Sequence, residues 1–287
     1  MTDPALWVVA TPIGNLADIT LRALQTLKDA DLVLAEDTRR TRVLLEHHGI
    51  DTPLDSFHAH SSEEKIARLI ERLDAGETLA LVSDAGTPVI SDPGVRLVAA
   101  ARAAGHEVST APGPSAILGA LSIAGLRADR FVFLGFLPRS SGKRRAEVEA
   151  IAARREASVL FESPQRLAAL LEEMVAQIPD RQIAVCRELT KRFEEIVRGT
   201  PAEVLERFAD GAKGEITVVV EAVATAAPEL AEEDVEAFVR EALAGGDRVK
   251  SVAKALAKRS GLSGSEAYER VLALREGASD RDPDAEA

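Results

Sequence analysis

The chain has 287 residues, of which 47 are acidic and 35 basic, so its formal net charge is -12. This acidity excludes a uniformly basic nucleic-acid coat protein, because non-specific binding needs lysine and arginine to replace the counterions of phosphates. The single cysteine, Cys186, excludes a disulfide framework and a zinc site built on CxxC pairs. No signal peptide and no apolar run approaching the ~20 residues of a membrane span is present, so we expect a cytoplasmic protein of about two domains.

Apolar runs alternate with helical patterns over the first 125 residues, which is typical of an α/β sheet covered by helices. Ser61 and Glu64 have the spacing of a capping box, and Gly125 is expected to end the last helix of this part. We place a boundary there, which makes residues 1–125 a first α/β domain. The pattern predicts strands at 6–10, 31–35, 78–82 and 107–110, and helices at 18–28, 38–48, 61–73, 95–104 and 116–124.

A second cycle of strands and helices fills residues 126–223, and the chain then becomes helical. Ser163-Pro164 and Thr200-Pro201 each predict an N-cap followed by proline at the first helical position. A low-charge linker is expected at 222–231, a helix-turn-helix-like domain at 232–276 and a disordered acidic tail at 277–287. Strands are predicted at 131–134, 157–161, 182–186, 194–198 and 215–221, and helices at 143–154, 163–177, 232–244, 249–260 and 263–274.

Three loops rich in glycine and proline each follow a predicted strand of the first domain. Their sequences are TPIGN at 11–15, SDAGTPVISDPG at 83–94 and APGPSA at 111–116. Because ligands of open α/β sheets bind at the carboxyl ends of the strands, the loops are expected to line one site. Taken singly, each loop also fits an ordinary turn. The chain has neither GxGxxG nor GxxxxGK[ST], which argues against a dinucleotide site and a P-loop.

Other polar segments allow two interpretations each. The sequence EDTRR at 36–40 ends a strand, where it is either part of a site or a helix start with Asp37 as N-cap. His58 and His60 lack a third ligand at a known spacing, so no metal site is predicted. Two basic segments, each a solvated face or a docking site for phosphates, comprise Arg139, Lys143, Arg144 and Arg145, and then Arg248, Lys250, Lys254, Lys258 and Arg259.

Four segments resemble one bacterial enzyme family. They are LWVVATPIGNLADITLRALQTLKDADLVLAEDTR, LVSDAGTPVISDPG, APGPSAILGALSIAGL and FESPQR. The chain from about Leu6 to Val220 is similar to the small-subunit ribosomal RNA (cytidine-2′-O)-methyltransferases, which belong to the tetrapyrrole-methylase-like class III of S-adenosylmethionine enzymes. The resemblance implies a homodimer of chains with two α/β domains and a helix-turn-helix appendage, with the cofactor bound between the α/β domains. The implied reaction methylates the ribose of a cytidine in the decoding centre of 16S rRNA.

The resemblance also implies roles for individual residues. The acceptor side is assigned to Glu36, Asp37 and Arg39, because a weak ribose nucleophile benefits from a nearby proton acceptor. The RNA is expected to contact Arg139, Lys143, Arg144 and Arg145, together with Lys250, Lys254 and Lys258. The cofactor residues are Ile13, Gly14, Asn15, Asp84, Gly86, Thr87, Ser115 and Ala116 from the first domain, and Phe161, Glu188, Leu189, Glu215 and Ile216 from the second.

Two other functions remain open at this point. A C-methyltransferase of cobalamin- or siroheme-type tetrapyrroles predicts a large apolar cleft, against which the aromatic content of 3% is a weak argument. A non-enzymatic helix-turn-helix regulator predicts sequence-specific DNA binding and no methyl transfer.

Overall fold

The structure is a computed structural model that describes residues 5–88, 94–223, 232–260 and 262–279. The chain divides into two units, Met1–Val223 and Ala224–Ala287. The predicted linker therefore lies outside the described residues from 224 to 231, and the predicted tail from 280 onward.

The first sheet is parallel throughout its described strands, in the order β3-β2-β4-β1-β5. The runs LVLA and LALV are buried at every position of two central strands, as a sheet covered by helices on both faces requires. The short strand β3 was not predicted, since its three residues LDS carry no apolar alternation. The strands are β1 (Leu6–Val9), β2 (Leu32–Ala35), β3 (Leu54–Ser56), β4 (Leu79–Val82) and β5 (Val108–Ala111).

Helices cover both faces of this sheet and bury two apolar cores. Val33 and Leu34 enter different cores, because successive strand residues point to opposite faces. Leu27 packs in the core of Val33, whereas Ile66 and Leu97 pack in the core of Leu34. The helices are α1 (Leu21–Asp29), α2 (Thr38–His47), α3 (Glu63–Asp74) and α4 (Val95–Ala103).

The start of α3 differs by one residue from the prediction. Ser62 is the N-cap, and its side chain accepts a hydrogen bond from the backbone N of Lys65. Ser61 is buried instead, and its Oγ accepts from the backbone N of His58 at 3.0 Å. The predicted capping box on Ser61 was therefore wrong, because the contact with His58 engages Ser61 and the cap is formed by Ser62, which has Lys65 and no acid three residues later.

The second sheet is mixed, with the order β6-β7-β10-β8-β9 among the described residues. Only the pair of β6 and β7 is parallel, and the other described pairs are antiparallel. Its strands are β6 (Phe131–Phe136), β7 (Ala157–Glu162), β8 (Ile183–Arg187), β9 (Glu195–Gly199) and β10 (Ile216–Val220), and one face carries α6 (Ser141–Ala153), α7 (Leu167–Gln177) and α8 (Pro201–Arg207).

The two predicted cap-plus-proline signals have different outcomes. Thr200 forms the predicted capping box with Glu203, with Pro201 at the first helical position of α8. The prediction at Ser163 was wrong, since α7 begins only at Leu167. The backbone N–H of Arg166 closes a turn on the carbonyl of Ser163 at 3.0 Å, so proline there starts a turn that precedes the helix.

Helix α5 (Ala116–Ala124) follows the first sheet in the chain but packs on the second. Ile117 and Ala120 share a core with Val159 of β7 and Val219 of β10. Gly125 ends this helix with φ of 59°, as predicted. The domain boundary after residue 125 stays a prediction. Helix α5 precedes this boundary in the chain but packs on the sheet that follows it.

The second unit consists of three helices in its described residues. Val239, Leu256 and Val271, one from each helix, are buried in its core. The last helix continues to Ser279, so the predicted helix end at 274 and the tail start at 277 were wrong. No helix in the described residues has the length and apolar character that crossing a membrane requires. The helices are α9 (Glu232–Ala244), α10 (Val249–Ser260) and α11 (Gly264–Ser279).

Candidate active site

A cleft of about 350 Å³ lies where the three predicted loops meet residues of the second sheet. The loops converge because each one follows a parallel strand of the first sheet at its carboxyl end. Most of the predicted cofactor residues line this cleft: Ile13, Asp84, Gly86, Thr87, Ser115 and Ala116 from the loops and α5, and Phe161, Leu189, Glu215 and Ile216 from the second sheet and its loops.

Hydrogen bonds fasten the three loops to one another. The backbone N of Thr11 donates to the carbonyl of Gly86 at 2.9 Å, and the backbone N of Gly86 donates back at 3.0 Å. The hydroxyl of Thr87 donates to the carbonyl of Pro114 at 3.3 Å. Gly86 has φ of 82°, a conformation that strains other residues. The described parts of the three loops therefore form one hydrogen-bonded backbone frame, and residues 89–93 of the second loop lie outside the described residues.

Asp84 places a carboxylate in the cleft. Its Oδ1 accepts from the backbone N of Asp37 at 2.9 Å, and its Oδ2 lies 3.6 Å from Nη1 of Arg40. The side chain keeps 26% of its surface exposed. One oxygen is thus held by the start of α2, while the other has only a loose ionic neighbour.

Glu162 is a second carboxylate at the cleft, and its side chain is fully buried. Its Oε1 accepts from the backbone N of Ser163 at 2.7 Å, and its Oε2 accepts from Nη2 of Arg166 at 3.0 Å. The same Nη2 donates to the carbonyl of Leu137 at 2.7 Å. A buried charge needs such partners, so this pair is a structural part of the cleft wall.

Glu188 does not line the cleft but forms an ionic cluster beside it. Nζ of Lys191 donates to Glu188 at 2.8 Å and to Glu215 at 2.9 Å, and the backbone N of Glu215 donates to Glu188 at 2.9 Å. The hydrogen bonds from Lys191 and from that backbone N–H lower the pKa of Glu188. Burial alone would lower the pKa of Lys191, but its bonds to Glu188 and Glu215 raise it. Lys191 therefore stays charged.

Gly14 and Asn15, two further predicted cofactor residues, are not among the residues that line the cleft. A side chain at Gly14 would collide with Cγ of Lys191 and lie 2.9 Å from the carbonyl oxygen of Leu189. Asn15 caps a short helical turn, where its side chain accepts from the backbone N of Ala17 at 3.1 Å. Both residues position the first loop, and neither one faces the cavity.

The predicted acceptor residues Glu36, Asp37 and Arg39 do not line the cleft either. Asp37 is the N-cap of α2, as the alternative interpretation required, and its carboxylate pairs with Arg39 at 2.7 Å. Hydrogen bonds from the side chain and backbone of Arg39 lower the pKa of Asp37 to about 2. A carboxylate so engaged is a poor proton acceptor, which argues against this role. Glu36 is exposed.

Sequence reasoning missed several residues of the cleft. Cys186 is one of them, and burial raises the pKa of its thiol to about 11, so it behaves as the predicted small apolar residue. Ala85 and Thr217 adjoin predicted residues and were within reach of the sequence. Arg40 lies in the EDTRR segment, for which a site was one of the two interpretations, and Glu162 directly follows the predicted strand at 157–161. Ile117 and Phe136 come from packing that the pattern does not reveal. The missed residues are Arg40, Ala85, Ile117, Phe136, Glu162, Cys186 and Thr217.

The basic segments separate into exposed and engaged side chains. Arg144 is buried, and its guanidinium donates to both carboxylate oxygens of Glu173 at 2.8 and 2.9 Å. This pairing argues against the predicted RNA contact at Arg144. The side chain of Lys258 lies outside the described residues. Exposed positions of the two segments with a basic side chain are Arg139, Lys143, Arg145, Arg248, Lys250, Lys254 and Arg259, and the guanidinium of Arg259 lies over the ring of Phe238.

The two loop histidines, His58 and His60, contact each other. Nδ1 of His58 accepts from the backbone N of His60 at 3.2 Å. Within the described ranges, no group of three or more His, Cys, Asp or Glu side chains is arranged to hold a metal ion.

Comparison with known proteins assigns the chain to a family. Residues 5–205 match the model of the Tetrapyrrole (Corrin/Porphyrin) Methylases. The chain is 44% identical over 283 residues to Ribosomal RNA small subunit methyltransferase I of Mesorhizobium japonicum, covering 98% of this chain and 95% of that relative. The protein of the same name from Bacillus subtilis is 45% identical over 217 residues, with 75% of this chain and 74% of the relative covered.

Solved structures share the fold at lower sequence identity. A diphthine synthase superimposes with a TM-score of 0.59 at 19% identity, covering 75% of this chain and 89% of that one. The uroporphyrin-III-C-methyltransferase of Thermus thermophilus superimposes with a TM-score of 0.54 at 22% identity, covering 75% and 93%. The chain therefore belongs to the tetrapyrrole methylase family and, within it, to the ribosomal RNA small subunit methyltransferase I group, which makes it a methyltransferase.

Proposed function

We propose that this chain transfers the methyl group of S-adenosylmethionine to the ribose 2′-hydroxyl of a cytidine in the decoding centre of 16S rRNA. The substrate is the small ribosomal subunit in the cytoplasm. The observation that carries the proposal is the cleft of three fastened loops in a chain so similar, over nearly its whole length, to relatives named for small-subunit RNA methylation.

The residues of the cleft fit this methyl donor. S-adenosylmethionine carries a positive sulfonium, an amino acid end and an adenosine, and it has no phosphate. The cleft offers the carboxylates of Asp84 and Glu215 beside apolar walls such as Ile13 and Ile216. Carboxylates attract the cationic groups of this donor, and a donor without phosphate accords with the absence of a P-loop.

The chemistry requires alignment above all. When bound, the donor supplies an electrophilic methyl carbon, which the 2′-oxygen must approach in line with the carbon–sulfur bond. The fastened loops favour catalysis by positioning, since a fixed frame lowers the entropy lost on reaching that geometry. Lys191 is protonated and Asp37 is engaged by Arg39. Glu215 is likewise engaged, by Lys191 at 2.9 Å. Asp84, one oxygen of which has only a loose ionic neighbour, is the carboxylate at the cleft best suited to accept the hydroxyl proton.

The test is methyl transfer from labelled S-adenosylmethionine to small subunits that lack the modification, followed by mapping of nucleosides. We expect 2′-O-methylcytidine at one position of 16S rRNA, and a higher rate on assembled subunits than on naked RNA. The net charge of -12 motivates the second expectation, since an acidic protein binds naked RNA poorly. Subunits that already carry the modification are the control, and label on a base or on a tetrapyrrole would contradict the proposal.

The proposal replaces the two other functions considered. A tetrapyrrole acceptor does not accord with the name of the relative that is similar to this chain over nearly its whole length, Ribosomal RNA small subunit methyltransferase I. A regulator without enzymatic activity does not accord with membership of a methyltransferase family.

We propose that the RNA contacts the exposed basic side chains of two segments. One is Arg139–Arg145, in which Arg144 is excluded because it is buried, and the other is α10. Reversing Lys250 and Lys254 to glutamate is expected to weaken binding to the small subunit and to leave binding of S-adenosylmethionine unchanged. Removing one lysine–phosphate interaction lowers the salt dependence of binding by about one unit of slope. Subunit binding at several salt concentrations measures this.

Arg240 provides a matched control for these reversals. It lies on α9 of the same unit and pairs with Glu236 at 3.5 Å. Reversing Arg240 to glutamate should leave the salt slope unchanged. An equal slope for the wild type and for the double reversal at Lys250 and Lys254 would exclude α10 as an RNA contact.

We propose a homodimer, as the family resemblance implies. Sedimentation equilibrium should then give twice the chain mass of 30.6 kDa at micromolar concentration. A mass of one chain under conditions where methylation proceeds would contradict the dimer.

A further inference from the structure

Phe136 is an exposed aromatic side chain at the cleft. It keeps 60% of its surface exposed although it lines the same cavity as Asp84 and Gly86. A single exposed apolar residue is ordinary on a protein surface. The way in which the second sheet supports this ring is what sets it apart.

A β-bulge directs Phe136 into the cleft. Phe133 pairs with Val159 and Phe136 with Phe161, so three steps along β6 match two along β7. The bulge contains Gly135, whose φ is 63°. In a regular strand, residues three apart such as Phe133 and Phe136 would point to opposite faces of the sheet, and the bulge brings them to the same face. Bulges next to active sites commonly redirect a side chain in this way.

The redirected ring of Phe136 contacts the ring of Phe161, which in turn contacts the ring of Phe133. Phe133 meets Phe161 edge to face, with centroids 4.9 Å apart, and Phe136 meets Phe161 at 5.7 Å. Phe133 and Phe161 pack against the core that contains Val159 and Ala184. The exposed ring is therefore held before a ligand binds, and a ligand that stacks on it loses less entropy.

Arg40 contributes a cation to the same cleft from α2. Its side chain is 64% exposed, and its nearest described acid is Asp84 at 3.6 Å, beyond hydrogen-bond distance. The neighbouring Arg39 is engaged by Asp37 at 2.7 Å. Among the described residues that line the cleft, Arg40 is the one with a positive charge. A guanidinium in this state is available for bidentate hydrogen bonds to a phosphate.

We propose that Phe136 and Arg40 form the subsite for the acceptor nucleotide, with the base stacked on the ring and an adjacent phosphate bound by the guanidinium. This inference rests on the proposed function and names the ligand as an unpaired nucleotide of RNA. A ring and a cation are the pair of groups that bind single-stranded nucleic acid. The ribose lies between base and phosphate, so holding both presents its 2′-hydroxyl to the cleft. The base must leave any stack or pair to bind there.

The experiment compares Phe136→Leu, Phe136→Tyr, Arg40→Met and Arg40→Lys with the wild type. Steady-state methylation of small subunits gives kcat and KM, and calorimetry gives the Kd of S-adenosylmethionine. Phe136→Leu should lower kcat/KM for the subunit by about 5- to 150-fold, the effect of losing one stacked base. Phe136→Tyr should keep the wild-type kcat/KM for the subunit, and Arg40→Met should lower it. Arg40→Lys should give a kcat/KM between those of the wild type and Arg40→Met. The Kd of S-adenosylmethionine should stay unchanged in all four.

Phe193 is the matched control, since it is 65% exposed and is not among the residues that line the cleft. Phe193→Leu should leave kcat/KM unchanged. A weaker Kd for S-adenosylmethionine in Phe136→Leu, with subunit KM preserved, would assign the ring to the donor and overturn the inference. Unchanged kcat/KM in both Phe136→Leu and Arg40→Met would also overturn it.

Two further observations keep the outcomes distinct. If Phe136→Leu unfolds, Arg40→Met decides, because an exposed helix position tolerates the change. Wild-type protein that forms no 2′-O-methylcytidine would instead defeat the proposed function itself.

Discussion

Replacing Asp84 with alanine is expected to weaken the binding of S-adenosylmethionine by roughly 10- to 150-fold, since hydrogen bonds to a charged group contribute about 1.5–3 kcal/mol. The carboxylate sits at the carboxyl end of β4, with Oδ1 fixed by the backbone N of Asp37 and Oδ2 at 3.6 Å from Arg40. A fixed acceptor at the cleft favours the cationic donor. Calorimetric titration of the variant with S-adenosylmethionine measures the change.

Two variants separate the charge of Asp84 from its structural role. Asp84→Asn keeps an oxygen for the backbone N of Asp37 but removes the charge, and we expect it to bind the donor as weakly as the alanine variant. Asp51→Ala removes an exposed carboxylate that is not among the cleft residues and should bind normally. Wild-type affinity in Asp84→Ala would remove Asp84 from the donor site.

Replacing Arg166 with methionine is expected to lower the free energy of unfolding by about 3–5 kcal/mol, the range for leaving a buried charge without its partner. The carboxylate left behind belongs to Glu162, whose side chain has no exposed surface. The variant also loses the hydrogen bond from Arg166 to the carbonyl of Leu137. Urea denaturation followed by circular dichroism measures the loss.

A double-variant cycle attributes this loss to the charge. Glu162→Gln combined with Arg166→Met removes both charges and should recover part of the stability, because an uncharged amide is less costly to bury. Arg207→Met breaks an ion pair whose arginine is 64% exposed, and it should cost about 1 kcal/mol or less. Equal losses in Arg166→Met and Arg207→Met would show that burial of Glu162 does not govern the effect.

The three loops of the cleft could be predicted because strand pattern and loop chemistry agree at each of them. Buried runs such as LALV end where glycine and proline begin, and the carboxyl ends of parallel strands share one edge. The position of Phe136 could not be predicted, since the bulge at Gly135 reverses the alternation on which strand patterns depend.

The burial of Arg144 could have been predicted from the sequence. Arg144 precedes Val148 by four residues and Ile151 by seven, so the three share one face of α6. That face packs on α7, where Glu173 receives the guanidinium. Grouping basic residues by proximity in the chain concealed this helical periodicity. In contrast, the capping-box spacing favours Ser61, and the choice of Ser62 could not be predicted because it depends on the contact of Ser61 with His58 in the folded loop.

The packing of α5 restricts how a large substrate reaches the chemistry. Ser115 and Ala116 border the cavity, while Ile117 and Ala120 are embedded beneath the opposite wall. Separating the two walls of the cleft would expose these side chains to water, at a free-energy cost of roughly 0.8 kcal/mol for each methylene. Widening of the cleft is therefore energetically disfavoured. In the proposed reaction, the conformational change then falls on the RNA, whose acceptor nucleotide has to leave its place in the ribosomal surface.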